Sequence, residues 1–301
     1  MQRYIWQKNN WPNLTWDADR LVLPLGECRQ MKGRLLSKVC GLDVQLNDMV
    51  QAEILVVEAI NTFAIEGDQL DERSVRSSVA RRLGLPSAGM PVDRRIDDLV
   101  SVLVDATQSF DKPLTKERLW GWQAALFPSG YSGMHKIKVG GWRNGEEPMR
   151  VVSGPIGREK IHFEAPPAEQ LDDEMNRFFL WFNASLGNVE GIIRAALVHL
   201  RFVTVHPFDD GNGRLARALT DMALARDGKL RVRYYSLSTQ IMTEREGYYD
   251  ILEKTQRGSG DVTEWLNWFL CRFAGAIVKS ENVINGIIIS QGLGGQLLGS
   301  N

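Results

Sequence analysis

Twelve consecutive residues, His206-Pro207-Phe208-Asp209-Asp210-Gly211-Asn212-Gly213-Arg214-Leu215-Ala216-Arg217, bring an imidazole, carboxylates, two glycines, an amide and two guanidiniums together between two stretches of helical spacing. That set suits chemistry on a phosphate. Gly211 and Gly213 let the backbone turn closely around a ligand, and a helix beginning near Asn212 aims free N–H groups and its positive dipole end at an anion. Arg214 and Arg217 project from neighbouring parts of the first helical turn, where planar forks match phosphate oxygens. Asp210 beside them is placed to hold a hard cation such as Mg²⁺ between phosphates. An imidazole with a pKa of about 6.5 is mostly neutral at neutral pH, so His206 is the natural general base for an attacking hydroxyl. The plainer readings are a solvated face for Arg214 and Arg217, a helix cap for Asp210 and a turn for Asn212. The other histidines, His135, His162 and His199, read as structural or surface residues.

Two familiar phosphate patterns do not fit. Gly211-Asn-Gly213-Arg-Leu-Ala216 satisfies the loose dinucleotide pattern after the strand-like run Phe202-Val203-Thr204-Val205, but a Rossmann sheet needs alternating strands and helices and the flanking periodicity is helical. No Gly-x-x-x-x-Gly-Lys-Ser/Thr loop occurs anywhere in the chain. The segment instead resembles the signature of the Fic (Fido) family, His-x-Phe-x-Asp/Glu-Gly-Asn-Gly-Arg-x-x-Arg, with every defining position present. The resemblance implies a mostly helical fold that transfers AMP from ATP to a Ser, Thr or Tyr hydroxyl of a target protein. It makes His206 the general base, packs Phe208 into the core and gives Asp210 the Mg²⁺. It sets Gly211, Asn212 and Gly213 around the α- and β-phosphates, Arg214 on the β-phosphate and Arg217 on the γ-phosphate.

Three further segments resemble features of that family. A hairpin turning at Asn144-Gly145, with His135 to Val139 as one strand and Met149, Arg150, Val151 and Val152 as its return, is similar to the flap that adds a target segment as a strand. Tyr248 and Tyr249, with Gln256 about two turns on, resemble the lining of an adenine pocket, against the plainer reading of core packing for both rings. Thr62-Phe63-Ala64-Ile65-Glu66-Gly67 resembles the inhibitory motif Ser/Thr-x-x-x-Glu-Gly/Asn. A carboxylate in the last turn of a helix is disfavoured by the dipole unless a cation answers it, and Arg217 is the candidate. That pairing would keep Arg217 from the γ-phosphate and misplace the α-phosphate for in-line attack.

The elements that position these residues follow from spacing. Leu25, Cys28, Met31, Leu35, Leu36 and Val39 predict a helix after Pro24 that ends at Gly41, and Ile54, Val57, Asn61 and Ala64 predict a second that stops at Gly67. Dense punctuation from Gly84 to Pro91 reads as the join between an N-terminal helical segment, residues 1–90, and a catalytic core, residues 110–275. Helical spacing resumes from Leu171, and residues 276–301 read as a C-terminal tail, of which the glycine-rich last dozen, Ser290 to Asn301, fray. The expected fold is mainly α, a Fic-type helical core with one β-hairpin flap preceded by the N-terminal helical segment.

The 301 residues are 44% hydrophobic and 24% charged, enough for a sizeable core. A net charge of -1 gives no global reason to bind nucleic acid or a membrane surface, so the anion site must be local. No stretch reaches the ~18 to 20 apolar residues of a membrane span, and no secretory leader is evident at the N-terminus. Three cysteines without a Cys-x-x-Cys pair read as buried structural thiols in a reduced, cytoplasmic protein. Together these readings predict an autoinhibited protein adenylyltransferase using ATP and Mg²⁺ on a protein target of unknown identity, either another protein or the chain itself. Its rivals are removal of AMP with Glu66 activating water, transfer from a different nucleotide, and a regulatory module whose cradle only senses nucleotide.

Overall fold

The structure, a computed structural model, describes residues 3–86, 91, 93–154, 158 and 160–298, with side chains to residue 290. Among these residues it holds eleven α-helices and two small antiparallel hairpins, as a mainly α fold requires. The site hangs on α7 (Gly191–Val205) and α8 (Asn212–Gly228), which pack on each other at the centre. Every residue of α7 from Ile192 to Val205 is buried, the mark of a helix enclosed on all sides. The run Phe202-Val203-Thr204-Val205, strand-like by composition, is therefore the last turn of α7: burial on every face erases the alternation that would mark a half-buried strand. Phe178 and Phe182 of α6 (Leu171–Ala184), together with Phe202, Phe208 and Trp142, form an aromatic layer beneath the loop that joins α7 to α8.

The N-terminal helices wrap this centre. The first, α1 (Ala18–Cys40), begins six residues before Pro24, capped by Asp17, whose carboxylate accepts from the Asp19 and Arg20 N–H groups. Pro24, the seventh helical residue, thus lies inside the helix rather than before it, and its missing N–H leaves the Arg20 carbonyl without its i+4 donor. Helix α2 (Val44–Ile65) is capped by Asp43 and closes with Gly67 at φ 91°, the Gly67 N–H on Ala64 O and the Asp68 N–H on Phe63 O. That pair of bonds is the Schellman closure, and it fixes the direction in which Glu66, the capping residue, leaves the helix. Helices α3 (Glu72–Leu83) and α4 (Arg94–Gln108) follow, α4 packing on α8. Gly84 ends α3 with a left-handed turn, while residues 87–90 and 92 of the expected join lie outside the described residues.

Two expectations are corrected here. Asn144-Gly145 is not the hairpin turn. Residues Tyr131–Ser132 (β1) pair with His135–Lys136 (β2) around Gly133, and the larger hairpin joins Arg150–Ser153 (β3) to Lys160–Glu164 (β4). Burial of Trp142 and Arg143 nails the intervening segment to the core and denies it the freedom to be a strand. Nor do residues 276–298 form a tail that frays from Ser290. They continue α11 (Thr263–Leu298), with Ala276, Ile277, Ser280 and Ile284 buried and Arg34 of α1 paired to Glu281 at 2.9 Å. A packed helix propagates through poor helix formers at far less cost than starting one, so the glycines after Ser290 extend it. Residues 299–301 lie outside the described residues.

Of the thiols, Cys28 is buried and its pKa is pushed up to about 12, chiefly by that burial, whereas Cys40 and Cys271 are exposed, against the expectation of three buried ones. Among the described residues no helix is long and apolar enough to cross a membrane.

Candidate active site

His206 ends α7 in the left-handed region, φ 49° and ψ 59°, its N–H still bonded to Phe202 O at 3.0 Å. Pro207 prevents the helix from continuing. The imidazole Nδ1 lies 3.2 Å from Val203 O, which can only accept, so Nδ1 carries the proton and Nε2 keeps a lone pair for a substrate. Burial first, and the positive charge of Arg143 after it, pull the His206 pKa down to about 4, against the Val203 bond, Glu66 and Asp210, which raise it. A neutral base at neutral pH results.

The loop beyond is held from inside. Phe208 is fully buried, and the Asn212 side chain brackets it, accepting from Phe208 N–H at 3.0 Å and donating to Phe208 O at 2.8 Å. Asn212 is therefore committed to the loop's shape, leaving only its backbone N–H for an anion. Asp209 accepts from the Lys138 N–H at 2.8 Å, and Asp210 accepts from the Ser132 hydroxyl and the Gly211 N–H. These bonds staple the β1–β2 segment to the loop. Gly211 adopts φ 92°, and a Cβ there would stand 2.9 Å from the Phe127 ring.

The two arginines are buried and, among the described residues, incompletely partnered. Arg214 lies between the rings of Phe63 and Phe127, 5.0 and 4.7 Å from their centroids, with a weak contact to Asp210 at 3.4 Å and no partner for Nε. Arg217 gives Nε to the Thr62 hydroxyl at 2.6 Å and Nη2 to Thr62 O and Glu66 Oε1, both at 2.8 Å, while Nη1 has no partner. Burial lowers the Arg214 pKa; for Arg217 burial acts the same way but is outweighed by the charge and hydrogen bond of Glu66, so its pKa rises. Two buried guanidiniums with spare donors beside a helix start form a cradle for an anion of more than one charge.

An anion already stands in it. A methyl group on Gly213 would overlap the Glu66 carboxylate and lie 3.2 Å from Arg217 Nη1, so Glu66 from α2 occupies the space at the first turn of α8. The carboxylate is 30% exposed, so solvent still reaches this pairing.

The residues expected to line an adenine pocket are divided in their surroundings. Tyr248 is buried, its hydroxyl 2.8 Å from His199 Nε2 and its ring tilted against Trp268, which leaves no face open to a base. Tyr249 beside it is 38% exposed, under the guanidinium of Arg245 at 5.5 Å. Gln256 is buried with its amide 3.4 Å from Val203 O and Thr204 Oγ1, behind α7. His199 is fully buried and bonds Thr220 at 3.0 Å; His135 is exposed; His162 sits between Ser153 and Glu253. Met149 and Val151 pack on the small Tyr4–Phe163 cluster, Arg150 pairs Glu164 at 3.0 Å, and Val152 is exposed. Among the described residues strand β3 is bonded on one edge only, to β4, so its other edge can accept a further strand.

The motifs already contained Thr62, Phe63 and Asp209, though without a role for Phe63 or Asp209, whereas Ser132, Phe127 and Arg143 reach the loop from distant segments and left no signal in the spacing.

Residues 113–224 match the Fic/DOC family, and residues 4–85 match a family described as a domain of unknown function (DUF4172). A uridine 5'-monophosphate transferase of Xanthomonas campestris pv. campestris is 46% identical over 125 residues, 38% of this chain and 22% of that protein. The protein adenylyltransferase fic-1 of Caenorhabditis elegans is 31% identical over 148 residues, 46% of this chain and 26% of that protein. The chain therefore spans about a quarter of the length of these relatives. In fold it is similar to a Fic family protein from Desulfovibrio desulfuricans G20, with a TM-score of 0.67 and 19% identity over 91% of this chain and 77% of the other. A Fic domain containing signaling protein from Bacteroides thetaiotaomicron gives 0.65 and 19% identity over 88% of this chain and 97% of the other.

Proposed function

We propose, from the match of residues 113–224 to the Fic/DOC family, that the chain transfers AMP from ATP to a Ser, Thr or Tyr hydroxyl of a protein and is restrained by its own Glu66. His206 Nε2 takes the hydroxyl proton as the oxygen attacks the α-phosphorus; the bond to the β-phosphate oxygen breaks and pyrophosphate leaves. The N–H groups at the start of α8 and the spare donors of Arg214 and Arg217 receive the charge of the phosphates. The edge of β3 holds the target backbone as an added strand. Val152 and its neighbours then set which side chain faces His206.

Asp210 offers a half-exposed carboxylate, and among the described residues there is no group of three or more potential ligands around it. That donor set fits Mg²⁺, which takes one or two carboxylates and completes its shell with phosphate oxygens and water. When bound, the ion would neutralise developing phosphate charge.

The observation that carries the reading is the Glu66 carboxylate lying over Gly213 and bonded to Arg217 at 2.8 Å, an anion seated where a phosphate would sit. While it stays, Arg217 is engaged and the cradle is filled. A second reading, transfer of UMP from UTP, is favoured by the 46% identity to the uridine 5'-monophosphate transferase.

Wild type, Glu66→Gly and His206→Ala are incubated with α-labelled ATP or UTP, and with γ-labelled ATP, in the presence of Mg²⁺. Label from the α position is expected on protein, more of it in Glu66→Gly by roughly 5- to 150-fold, the usual span of a coupling of this kind, and none in His206→Ala. Label from UTP alone selects the second reading. Label from the γ position overturns both, and equal labelling of wild type and Glu66→Gly removes the restraint. Loss of AMP from a premodified protein that requires Glu66 would identify the reverse activity.

A further inference from the structure

We propose that Arg143 is a positioning residue that holds the His206 backbone and the base of the β3–β4 flap in one frame. The inference rests on His206 being the general base. Arg143 is 6% exposed, and each of its three bonds goes to a main-chain carbonyl. Its N–H donates to Pro207 O at 2.9 Å, its Nε to His206 O at 2.8 Å and its Nη2 to Pro166 O. No carboxylate pairs with it among the described residues. Burial lowers its pKa to about 10, and only Asp209, at longer range, opposes that.

A buried cation without a bonded anion is an expensive way to fill space; an apolar side chain of similar volume does so at less cost. What the guanidinium supplies is planarity, with donors in fixed directions to two separate segments. One segment is the last turn of α7 and its left-handed His206, whose main-chain placement sets Nδ1 on Val203 O and so the lone pair on Nε2. The other is Pro166, two residues beyond β4, where the Ala165 N–H bonds Met149 O at 3.0 Å and closes the flap at its base. A target strand lying on β3 and the nitrogen that takes its proton are thereby referred to the same rigid group. A shift of about 1 Å between them costs on the order of 10²-fold in rate.

The charge has a second effect. The charged groups facing the imidazole are Arg143 from the 137–149 segment, Glu66 from α2 and Asp210 from the loop, and of these only Arg143 favours the neutral ring.

The test uses the full chain carrying Glu66→Gly, with Arg143→Gln and Arg143→Lys added separately. The chain has four histidines, so the ring nitrogens can be followed one by one by NMR, alongside transfer of α-label from ATP or UTP and nucleotide binding. In the parent, His206 is expected as a single Nδ1–H tautomer that stays neutral down to about pH 5. In Arg143→Gln the tautomers mix and the ring titrates nearer its ordinary range, while His199 does not move, nucleotide binding is retained and transfer falls by roughly 10²-fold. Arg143→Lys keeps a charge but lacks the planar fork, so it restores the titration without the transfer.

Unchanged tautomer and transfer in Arg143→Gln overturn the proposal. So does a loss in which His199 and His206 shift together and nucleotide binding disappears, since a purely structural role predicts that pattern. Should Arg143→Gln fail to fold, full transfer in Arg143→Lys overturns it. A Glu66→Gly parent that transfers no label at all refutes the functional reading, and the tautomer of His206 still decides the role of Arg143.

Discussion

His206 and Arg217 show how one residue type acquires its chemistry from its surroundings. The imidazole is a base because Val203 O claims one nitrogen and burial keeps the other unprotonated, with a pKa of about 4. The acid limb of the pH profile for transfer is therefore expected near 4 to 5 rather than at about 6.5, the ordinary value. Initial rates from pH 4 to 8 check this, and a half-maximum at the ordinary histidine value would contradict the assigned environment. Arg217 differs because Glu66 answers it, so that its charge is held more firmly than burial alone allows. Asn212 is the third case: its amide faces Phe208 rather than the cradle, and Asn212→Ala leaves a buried N–H and C=O unpartnered. That change is expected to destabilise the chain by about 1–3 kcal/mol in urea unfolding, beyond any effect on nucleotide binding.

Elements, not single contacts, bring Glu66 to Arg217. Helix α2 lies along α8 through Glu66 and Thr62, which share Arg217, and further along through Arg233, which pairs with Glu58 of α2 and Asp221 of α8. The Glu66 carboxylate is thus the last contact on a seam of buried polar groups. The joint between α7 and α8 is equally constrained: two left-handed residues, His206 and Gly211, turn the chain within one short loop. Gly211→Ala meets both a positive φ and the Phe127 ring, so a loss of about 1–3 kcal/mol in stability is expected, together with loss of transfer. A midpoint equal to wild type in urea would show that the loop does not need its glycine. Both seams were only half legible in the sequence. Gly67 and Gly211 announced turns, but Arg233, Glu58 and Asp221 carry no short-range pattern, because their proximity depends on how three segments pack.

At the scale of the whole molecule, the N-terminal helices and the C-terminal helix form a single wrap. Helix α1 packs along α11, with Arg34 on Glu281 and the Cys28 thiol on Leu270 O at 3.3 Å, so α11 supports the N-terminal helices from outside. Deleting everything after residue 275 removes the buried Ile277 and Ile284, each worth about 1.5–3 kcal/mol. The expected result is a melting temperature several degrees lower and greater activity where the chain stays folded, as α1 and α2 loosen. Acid stability also belongs to this scale. Burial, followed by the charge of Arg217, holds the His199 pKa down at about 3. Unfolding therefore takes up a proton between about pH 3 and 6.5, so this contribution is complete above 6.5 and is lost as pH falls through that window. Unfolding free energies from urea titrations between pH 7 and 5 should fall with a slope of about 1.4 kcal/mol per pH unit from this residue once below its unfolded pKa, and His199→Gln should remove that share.

Composition, helical spacing and the run from His206 to Arg217 were sufficient for a mainly α protein with a local anion site, because helix periodicity and a contiguous motif are both written within a few residues of themselves. A net charge of -1 gave no global reason to bind an anion, so any such site had to be local. Only the tertiary structure decided that β3 pairs with β4 rather than with the segment before Asn144, that Tyr248 is packed away while Tyr249 is partly open, and that α11 runs on to Leu298. Each of these turns on which surfaces are buried against which. That competition is settled across the whole chain, where a favourable local pattern yields to the partner that excludes more water.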